Sequence, residues 1–331
     1  MKKMKKQLIN LLNIHATSGN EKPVRDYLKP ILTSLMDDVK VDDYGNLLAD
    51  LKCGDGKGAT VLLSAHMDTV KNTFADRELI EKNGTISSSK GALGADDRAG
   101  IAIILTVLRN LKKLNFNGNI KVAFSREEEV GCIGASKIDP KWYEGTDLAI
   151  VVDRRGSRDI VVGCGMAFCS NDVAYFMEDI GKMADMPDWR AVEGGISDAM
   201  VFAESGINSI NLSAGYENEH TDREYVVLNH MKDTARLILQ AIAVINQFCH
   251  AFGEVPTENR WAKSWGYSKY YQGGRYFEDA FDDDIYAEEY DQNGDVYVYE
   301  MGRDVVIQQG DQEIKLSRES LRSLVDQLKN V

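Results

Sequence analysis

Residue types that bind divalent cations follow several apolar segments of this sequence. His66 and Asp68 come directly after Val61–Ala65, a run that is apolar apart from Ser64 and predicts a buried strand. Because side chains alternate along a strand, both residues point to the same side at its carboxyl end, where open α/β sheets build their sites. A neutral imidazole binds zinc well, and a carboxylate two residues later can orient the ring. Taken alone, the pair is more typical of a polar surface turn than of a site.

Two adjacent aspartates, Asp96 and Asp97, open an apolar helix predicted over residues 98–111. Acidic residues at a helix start commonly cap it or interact with its dipole, so a structural role is as well supported as a chemical one. The chemical alternative is that one carboxylate reaches back to bridge two cations.

Three consecutive glutamates, residues 127–129, follow a strand predicted to end at Phe124. Their charges repel one another, which a solvated turn tolerates. A metal site also favours such crowding, because cations neutralise the ligand carboxylate and leave a neighbour to act as base.

Two further candidates complete the set. Asp153 ends the apolar strand 148–152, where an ionised carboxylate is costly unless it reaches the sheet's edge or has a partner. His220 lies in a polar loop ahead of the last long helix, whereas the settings of three other histidines are interpreted as structural (His15, His230 and His250). The five segments together supply two imidazoles, three ligand carboxylates and a spare glutamate. That inventory suits two divalent cations that share one carboxylate.

Strands and helices alternate along most of the chain. This order predicts an α/β fold with a mixed, largely parallel central sheet and helices on both faces. Near residue 252 the composition changes: eight of the fourteen tyrosines lie between Tyr267 and Tyr299, and ten acidic residues but no basic ones lie between Glu278 and Glu300. Three short alternating strands and a helix from Ser317 to Leu328 then follow.

We therefore predict three parts of the chain. Residues 1–252 form the main domain and carry all candidate ligands, residues 253–294 form an acidic, Tyr-rich connector, and residues 295–331 form a small β-β-β-α module. The connector and module could gate the site, dock a partner or be inert.

Composition excludes several classes of partner for this chain of 331 residues. A net charge of −13 argues against nucleic acid and anionic membranes as main partners. No apolar run approaches the ~20 residues needed to span a bilayer. The basic start and short apolar run of residues 1–14 contain two asparagines and precede no small-residue cleavage site, so amphipathic helices are expected rather than a signal peptide. Five cysteines without a CxxC pattern predict a cytoplasmic chain with free thiols.

The order of the motifs and the residues that they contain resemble those of the co-catalytic zinc exopeptidase clan. That clan includes peptidase T, the carboxypeptidase G group, and the leucyl and glutamyl aminopeptidases. The resemblance covers roughly residues 7–250 and is carried by four segments: Ser64–Val70 (SAHMDTV), Leu93–Gly100 (LGADDRAG), Glu128–Gly131 (EEVG) and Gly195–Ala199 (GISDA). It is highly specific for the clan and poorly specific for the substrate.

The resemblance implies a zinc exopeptidase-like fold and two divalent cations, usually zinc, with cobalt or manganese as alternatives. It also implies a cis peptide between Asp96 and Asp97. The implied roles are a bridging ligand at Asp96, first-site ligands at His66 and Asp153, second-site ligands at Glu129 and His220, a general base at Glu128 and a ring-orienting carboxylate at Asp68.

The spacing of the motifs departs from that of relatives with an inserted lid domain. Only 66 residues lie between Asp153 and His220, and 27 between Asp68 and Asp96. A lidless chain is therefore expected, without a lid-mediated dimer, and its oligomeric state stays open. The lid's substrate-binding groups have no evident counterpart, which leaves four candidates for substrate or oxyanion contact (Arg154, Arg155, Tyr216 and Asn218).

Within the clan, Asp at position 153 is typical of aminopeptidases. We therefore predict a two-metal hydrolase, most simply an aminopeptidase or dipeptidase acting on small peptides. The alternatives are a deacylase or amidase for N-acyl amino acids with the same metals, and a non-enzymatic binding protein on this scaffold.

Overall fold

The computed structural model describes residues 2–256 and the backbone of three further strands. The helices of the first part are α1 (Lys2–Leu12), α2 (Lys22–Thr33), α3 (Ala95–Leu111), α4 (Ile133–Ser136), α5 (Pro140–Tyr143), α6 (Asn171–Met183), α7 (Asp198–Glu204) and α8 (Leu228–Val244). Its strands are β1 (Asp38–Val41), β2 (Leu47–Cys53), β3 (Thr60–His66), β4 (Leu79–Lys82), β5 (Thr85–Ser88), β6 (Gly118–Ser125), β7 (Leu148–Arg154), β8 (Asp159–Gly163), β9 (Arg190–Glu193), β10 (Ser209–Ser213), β11 (Tyr216–Glu217) and β12 (Tyr225–Val227).

The main sheet has eight strands in the order β1-β2-β6-β3-β7-β10-β8-β9. Its centre, β6-β3-β7-β10, is parallel, whereas β1 with β2, β2 with β6, and β10 with β8 pair antiparallel. The predicted mixed, largely parallel sheet is confirmed. Its parallel centre places the carboxyl ends of β6, β3 and β7 side by side, which is the edge where ligands bind in such folds.

Helices cover both faces of this sheet. Val61 and Leu63 of β3 belong to the apolar core that contains α3 and α8, whereas Leu62 belongs to a second core with Phe202 of α7. Strands buried on both sides favour apolar residues at most positions, which explains the largely apolar sequences of β3 and β7. The same burial explains the apolar sequence of α3, which is covered along most of its length.

A smaller four-stranded sheet, in the order β11-β12-β5-β4, lies beside the loop that carries His220. The β4–β5 hairpin fills the interval between Asp68 and Asp96, and the interval between Asp153 and His220 contributes β8, β9 and β10 to the main sheet. Both places where relatives insert a domain therefore hold short local elements, in agreement with the predicted lidless form.

The C-terminal part contains β13 (Val296–Met301), β14 (Asp304–Gln309) and β15 (Gln312–Ser317), which pair antiparallel in sequence order as a separate unit. These are the three strands expected from the alternating pattern. The predicted connector over 253–294 lies almost entirely outside the described residues, as does the predicted closing helix. No helix in the described residues is long and apolar enough to cross a membrane.

Candidate metal centre

Asp96 lies between two histidines that come from distant parts of the sequence. His66 Nε2 is 3.0 Å from Asp96 Oδ1, and His220 Nε2 is 3.2 Å from Asp96 Oδ2. Each oxygen of the carboxylate therefore faces a different imidazole, which is the arrangement expected of a carboxylate that bridges two cations. His66 and Asp96 are buried, whereas a third of the His220 side chain is exposed.

Each histidine also has a second acidic neighbour. Asp153 Oδ1 is 3.4 Å from His66 Nε2, and Glu129 Oε2 is 2.7 Å from His220 Nε2. Glu128 Oε2 lies 3.8 Å from His66 Nε2, on the side of Asp153. The fold thus brings together all five candidate ligands and the candidate base.

The carboxyl ends of the central strands position these groups. His66 is the last residue of β3, Asp153 is the penultimate residue of β7, and Glu128 and Glu129 lie in the turn after β6. Asp96 lies in the first turn of α3, and its peptide bond to Asp97 is cis, as the resemblance implies. His66, Asp153 and Asp96 are therefore held by two strand ends and a helix start, which position side chains more precisely than loops do, whereas the glutamates lie in a turn and His220 lies in a loop.

The buried carboxylates change one another's protonation. Burial and the neighbouring Asp96 raise the pKa of Glu129 to about 7. Burial likewise raises the pKa of Asp153 to about 7, although His66 offsets part of that effect. Burial acts in the same direction on Asp96, yet its hydrogen bonds with His220 and His66 hold its pKa well below the usual range.

Burial has the opposite effect on the pKa values of the two histidines, but their acidic neighbours outweigh it. Burial alone would lower their pKa values, but Asp153 and its neighbours raise that of His66 well above 6.5. Asp96 and Glu129 raise the pKa of His220 to about 11. Because a cation ligand must be a neutral imidazole, cation binding at this centre would release protons.

The donors fit a pair of divalent cations. Glu129 Oε1 is buried and has no hydrogen-bond partner among the described residues. Within residues 2–256, the ion pairs of the four central carboxylates (Asp96, Glu128, Glu129 and Asp153) involve histidine alone, without lysine or arginine. Buried carboxylates whose negative charge is not balanced by cations destabilise the fold. Mixed imidazole and carboxylate donors suit zinc, cobalt or manganese.

Asp68 connects His66 to the glutamate turn. Its Oδ1 is 3.3 Å from His66 Nδ1 and accepts a hydrogen bond of 3.0 Å from the Glu128 backbone N–H. Its Oδ2 accepts hydrogen bonds from the Glu129 N–H at 3.2 Å and from the Ser18 hydroxyl at 2.8 Å. Asp68 stands where a ring-orienting carboxylate is expected, and it also holds the backbone that carries the candidate base.

The four candidates for substrate or oxyanion contact divide into two groups. Tyr216 is buried and its hydroxyl donates a hydrogen bond of 3.0 Å to Asp153 Oδ1, so it orients a candidate ligand. The others lie nearer the surface: Arg154 pairs with Asp159, Arg155 pairs with Glu219, and Asn218 is exposed. Their contact with a substrate stays a prediction.

Several supporting residues were not predicted from the sequence. The buried Glu224 carboxylate accepts hydrogen bonds from the backbone beside Asp96, and Cys132 Sγ donates to Glu128 Oε1 at 3.3 Å. Asp198 is buried and accepts a hydrogen bond from Ser125. Only the segment containing Asp198 carried a signal, because GISDA resembles the clan's sequence ahead of the last ligand.

Comparison with known proteins agrees with this arrangement. Residues 73–237 match the family model described as M42 glutamyl aminopeptidase. An uncharacterized protein of Bacillus subtilis, YqjE, is 31% identical over 147 residues, which cover 42% of this chain and 39% of that protein. Peptidase T of Clostridium botulinum is 32% identical over 157 residues, which cover 36% of this chain and 38% of that enzyme. The chain therefore spans about two-fifths of the length of these two relatives.

Solved structures share the fold at low sequence identity. A tripeptidase of Staphylococcus aureus superposes with a TM-score of 0.66 and 18% identity, covering 74% of this chain and 98% of that one. The TET1 peptidase of Pyrococcus horikoshii, which can assemble into a tetrahedron or a large octahedral shell, gives a TM-score of 0.59 and 19% identity, covering 72% and 99%. The ordered ligand set, the matching family model and the shared fold identify the chain as a member of the zinc exopeptidase clan of metallopeptidases.

Proposed function

We propose that this chain is a two-metal exopeptidase that removes an N-terminal residue from a small peptide, as an aminopeptidase or dipeptidase. The observation that carries the proposal is the position of Asp96 between His66 and His220, with Glu128 beside them. Two cations and a neighbouring free carboxylate can together carry out metal-assisted hydrolysis of a peptide bond.

The ligands divide into two sets that share Asp96. His66 and Asp153 would complete the first set, and Glu129 and His220 the second, with zinc as the expected metal and cobalt or manganese as alternatives. When bound, such cations polarise the scissile carbonyl and make a water molecule acidic enough to react at neutral pH. All ligands belong to residues 66–220, within the main domain.

Glu128 is the proposed general base. It is buried, its Oε2 faces His66, and its backbone N–H is held by Asp68. In the reaction its carboxylate takes the proton of the attacking water and returns it to the amine that leaves. Asp68 holds the His66 ring and the Glu128 backbone in fixed positions during this transfer.

Peptidase activity is favoured over the two alternatives. The matched family model describes an aminopeptidase, and the similar proteins and structures include peptidase T and a tripeptidase. Asp153 points in the same direction, because Asp at this ligand is typical of the clan's aminopeptidases. The complete ligand set with a base disfavours a purely binding role.

Replacing Glu128 by Gln tests the mechanism. The variant should keep two bound metal ions per chain, because Glu128 is not one of the proposed ligands, and should lose about 100- to 10,000-fold in kcat. Glu127→Gln is the matched control, since it makes the same change one residue earlier, where the side chain bonds with Tyr44. Full activity of Glu128→Gln would refute the mechanism, and fewer than one metal ion per wild-type chain purified without chelator would refute the two-metal centre.

A substrate pair tests the specificity. An aminoacyl anilide with a free amine should be hydrolysed, and its N-acetyl counterpart should not. Preferential cleavage of the acetylated compound would establish the deacylase alternative.

The cysteines and the two insertion positions bear on the location and the oligomeric state of the chain. All five cysteines are unpaired, which fits the proposed cytoplasmic location. Within residues 2–256 both insertion positions hold short elements, so we propose an assembly that does not depend on a lid. Light scattering on the purified chain would distinguish a monomer from the large shells that the TET1 peptidase forms.

A further inference from the structure

Glu224 is a buried acidic residue to which the proposed chemistry gives no role. It lies four residues after His220, in the loop between β11 and β12, and only 1% of its surface is exposed. Its neighbour Asp222 in the same loop is exposed. Burying a carboxylate is expensive, so its contacts indicate what maintains it there.

The contacts of Glu224 converge on the segment that ends in Asp96. Its Oε2 accepts a hydrogen bond of 2.9 Å from the Gly94 N–H, and its Oε1 accepts bonds of 2.7 and 3.1 Å from the N–H groups of Ala95 and Asp96. These three successive donors stand at the start of α3, where a helix has no carbonyl partners of its own for them. One side chain therefore satisfies the backbone that presents the bridging carboxylate.

The same loop is fastened at a second point, close to His220 itself. Asn72 Nδ2 donates a hydrogen bond of 2.9 Å to the His220 carbonyl, and the Asn72 backbone carbonyl accepts one of 3.1 Å from the Ala92 N–H. The loop is thus connected to residues 92–96 at two points, at His220 through Asn72 and at Glu224 directly. These contacts fix the loop that brings the His220 imidazole to Asp96 Oδ2 and Glu129 Oε2.

We propose that Glu224 is a positioning residue that sets the separation of Asp96 and His220, and thereby the affinity of the second cation site. The proposal rests on the two-metal function described above. The first site should depend on Glu224 much less, because His66 and Asp153 are held by β3 and β7.

The test is cation binding rather than turnover. Chelator-treated wild-type chain is titrated with zinc and with cobalt by calorimetry, and should bind two equivalents. Glu224→Gln replaces one acceptor oxygen by an amide that faces backbone donors, so the second equivalent should bind about 10- to 100-fold more weakly. The first equivalent shares Asp96 and should weaken much less. Asp222→Asn, the same type of change at an exposed position of the same loop, should bind both equivalents like the wild type.

The outcomes separate this proposal from the function it rests on. A wild type that binds fewer than two equivalents refutes the two-metal centre, whereas a Glu224→Gln variant that binds both as tightly as the wild type refutes the role of Glu224. Equal weakening of both equivalents shows a general structural role and also refutes it. If Glu224→Gln does not fold, amide exchange of Gly94–Asp96 in the wild type decides: these amides should be protected without added metal, and free exchange would overturn the proposal.

Discussion

The Ser18 hydroxyl donates a hydrogen bond of 2.8 Å to Asp68 Oδ2, joining the loop between α1 and α2 to the metal centre. The Ser18 N–H also donates to the Thr69 carbonyl at 3.3 Å, so this loop follows the chain immediately after His66 and Asp68. The N-terminal helices therefore contribute to the site through one small polar residue. Asp68 also accepts two hydrogen bonds from the backbone of the glutamate turn and faces the His66 ring.

Asp68→Asn should disrupt this network with little change in volume. An amide presents donor hydrogens to one side of a site that is surrounded by N–H and O–H donors, so Asp68 could no longer hold both His66 and the glutamate turn. We expect about 10- to 100-fold lower kcat/KM, with weaker metal binding. Asp76→Asn, at an exposed residue that pairs with Lys90, is the control. Wild-type kcat/KM and metal content in Asp68→Asn would contradict the network.

Tyr216→Phe distinguishes a ligand-orienting hydroxyl from an oxyanion donor. Because the hydroxyl bonds to Asp153 Oδ1, its loss should weaken the first cation site by about tenfold. An oxyanion donor would instead cost about 100- to 1,000-fold in kcat with metal affinity unchanged. Parallel measurement of zinc affinity and kcat separates the two roles, and Tyr175→Phe, at an exposed tyrosine, is the control.

Cys132 should influence the base without being essential. Burial raises the pKa of its thiol, which therefore stays protonated and donates to Glu128 Oε1. A thiol is a weak donor, so Cys132→Ala should lower kcat by less than about tenfold, and Cys132→Ser should restore much of it. Both variants should keep two metal ions, with Cys53→Ala as the control. A Cys132→Ala variant as inactive as Glu128→Gln would contradict this prediction and show that the Cys132 thiol is essential for kcat.

The main sheet was predictable because its central strands are buried on both faces. Largely apolar runs mark β3 and β7, and the polar residues that follow them stand out by contrast. Strands β8, β9, β11 and β12 were missed, since short segments at the sheet's edge or in the small second sheet combine buried and exposed residues without a regular pattern.

The convergence of the candidate ligands was predictable from the ordered motifs, but the residues that hold them in place were not. Ser18 and Glu224 are ordinary polar residues in loops, and their roles arise from contacts with residues 50 and about 130 positions away. Contacts between residues so far apart in sequence form only in the folded chain, so the sequence alone does not reveal them. Tyr216 is one of the four candidates for contact with a substrate, and the structure adds a hydrogen bond to Asp153 that the sequence did not predict.

Removal of residues 257–331 tests the predicted domain boundary. Every proposed ligand and each of its described hydrogen-bond partners precedes residue 225, while Asn208 bonds with the Gly253 carbonyl and Val255 is buried, so the cut should follow Pro256. The shortened chain should fold, bind two cations and cleave a free-amine anilide with unchanged kcat and KM. Circular dichroism and metal analysis establish the fold before activity is compared. A folded, fully loaded chain with altered KM would show instead that the acidic, Tyr-rich segment or the C-terminal strands take part in handling the substrate.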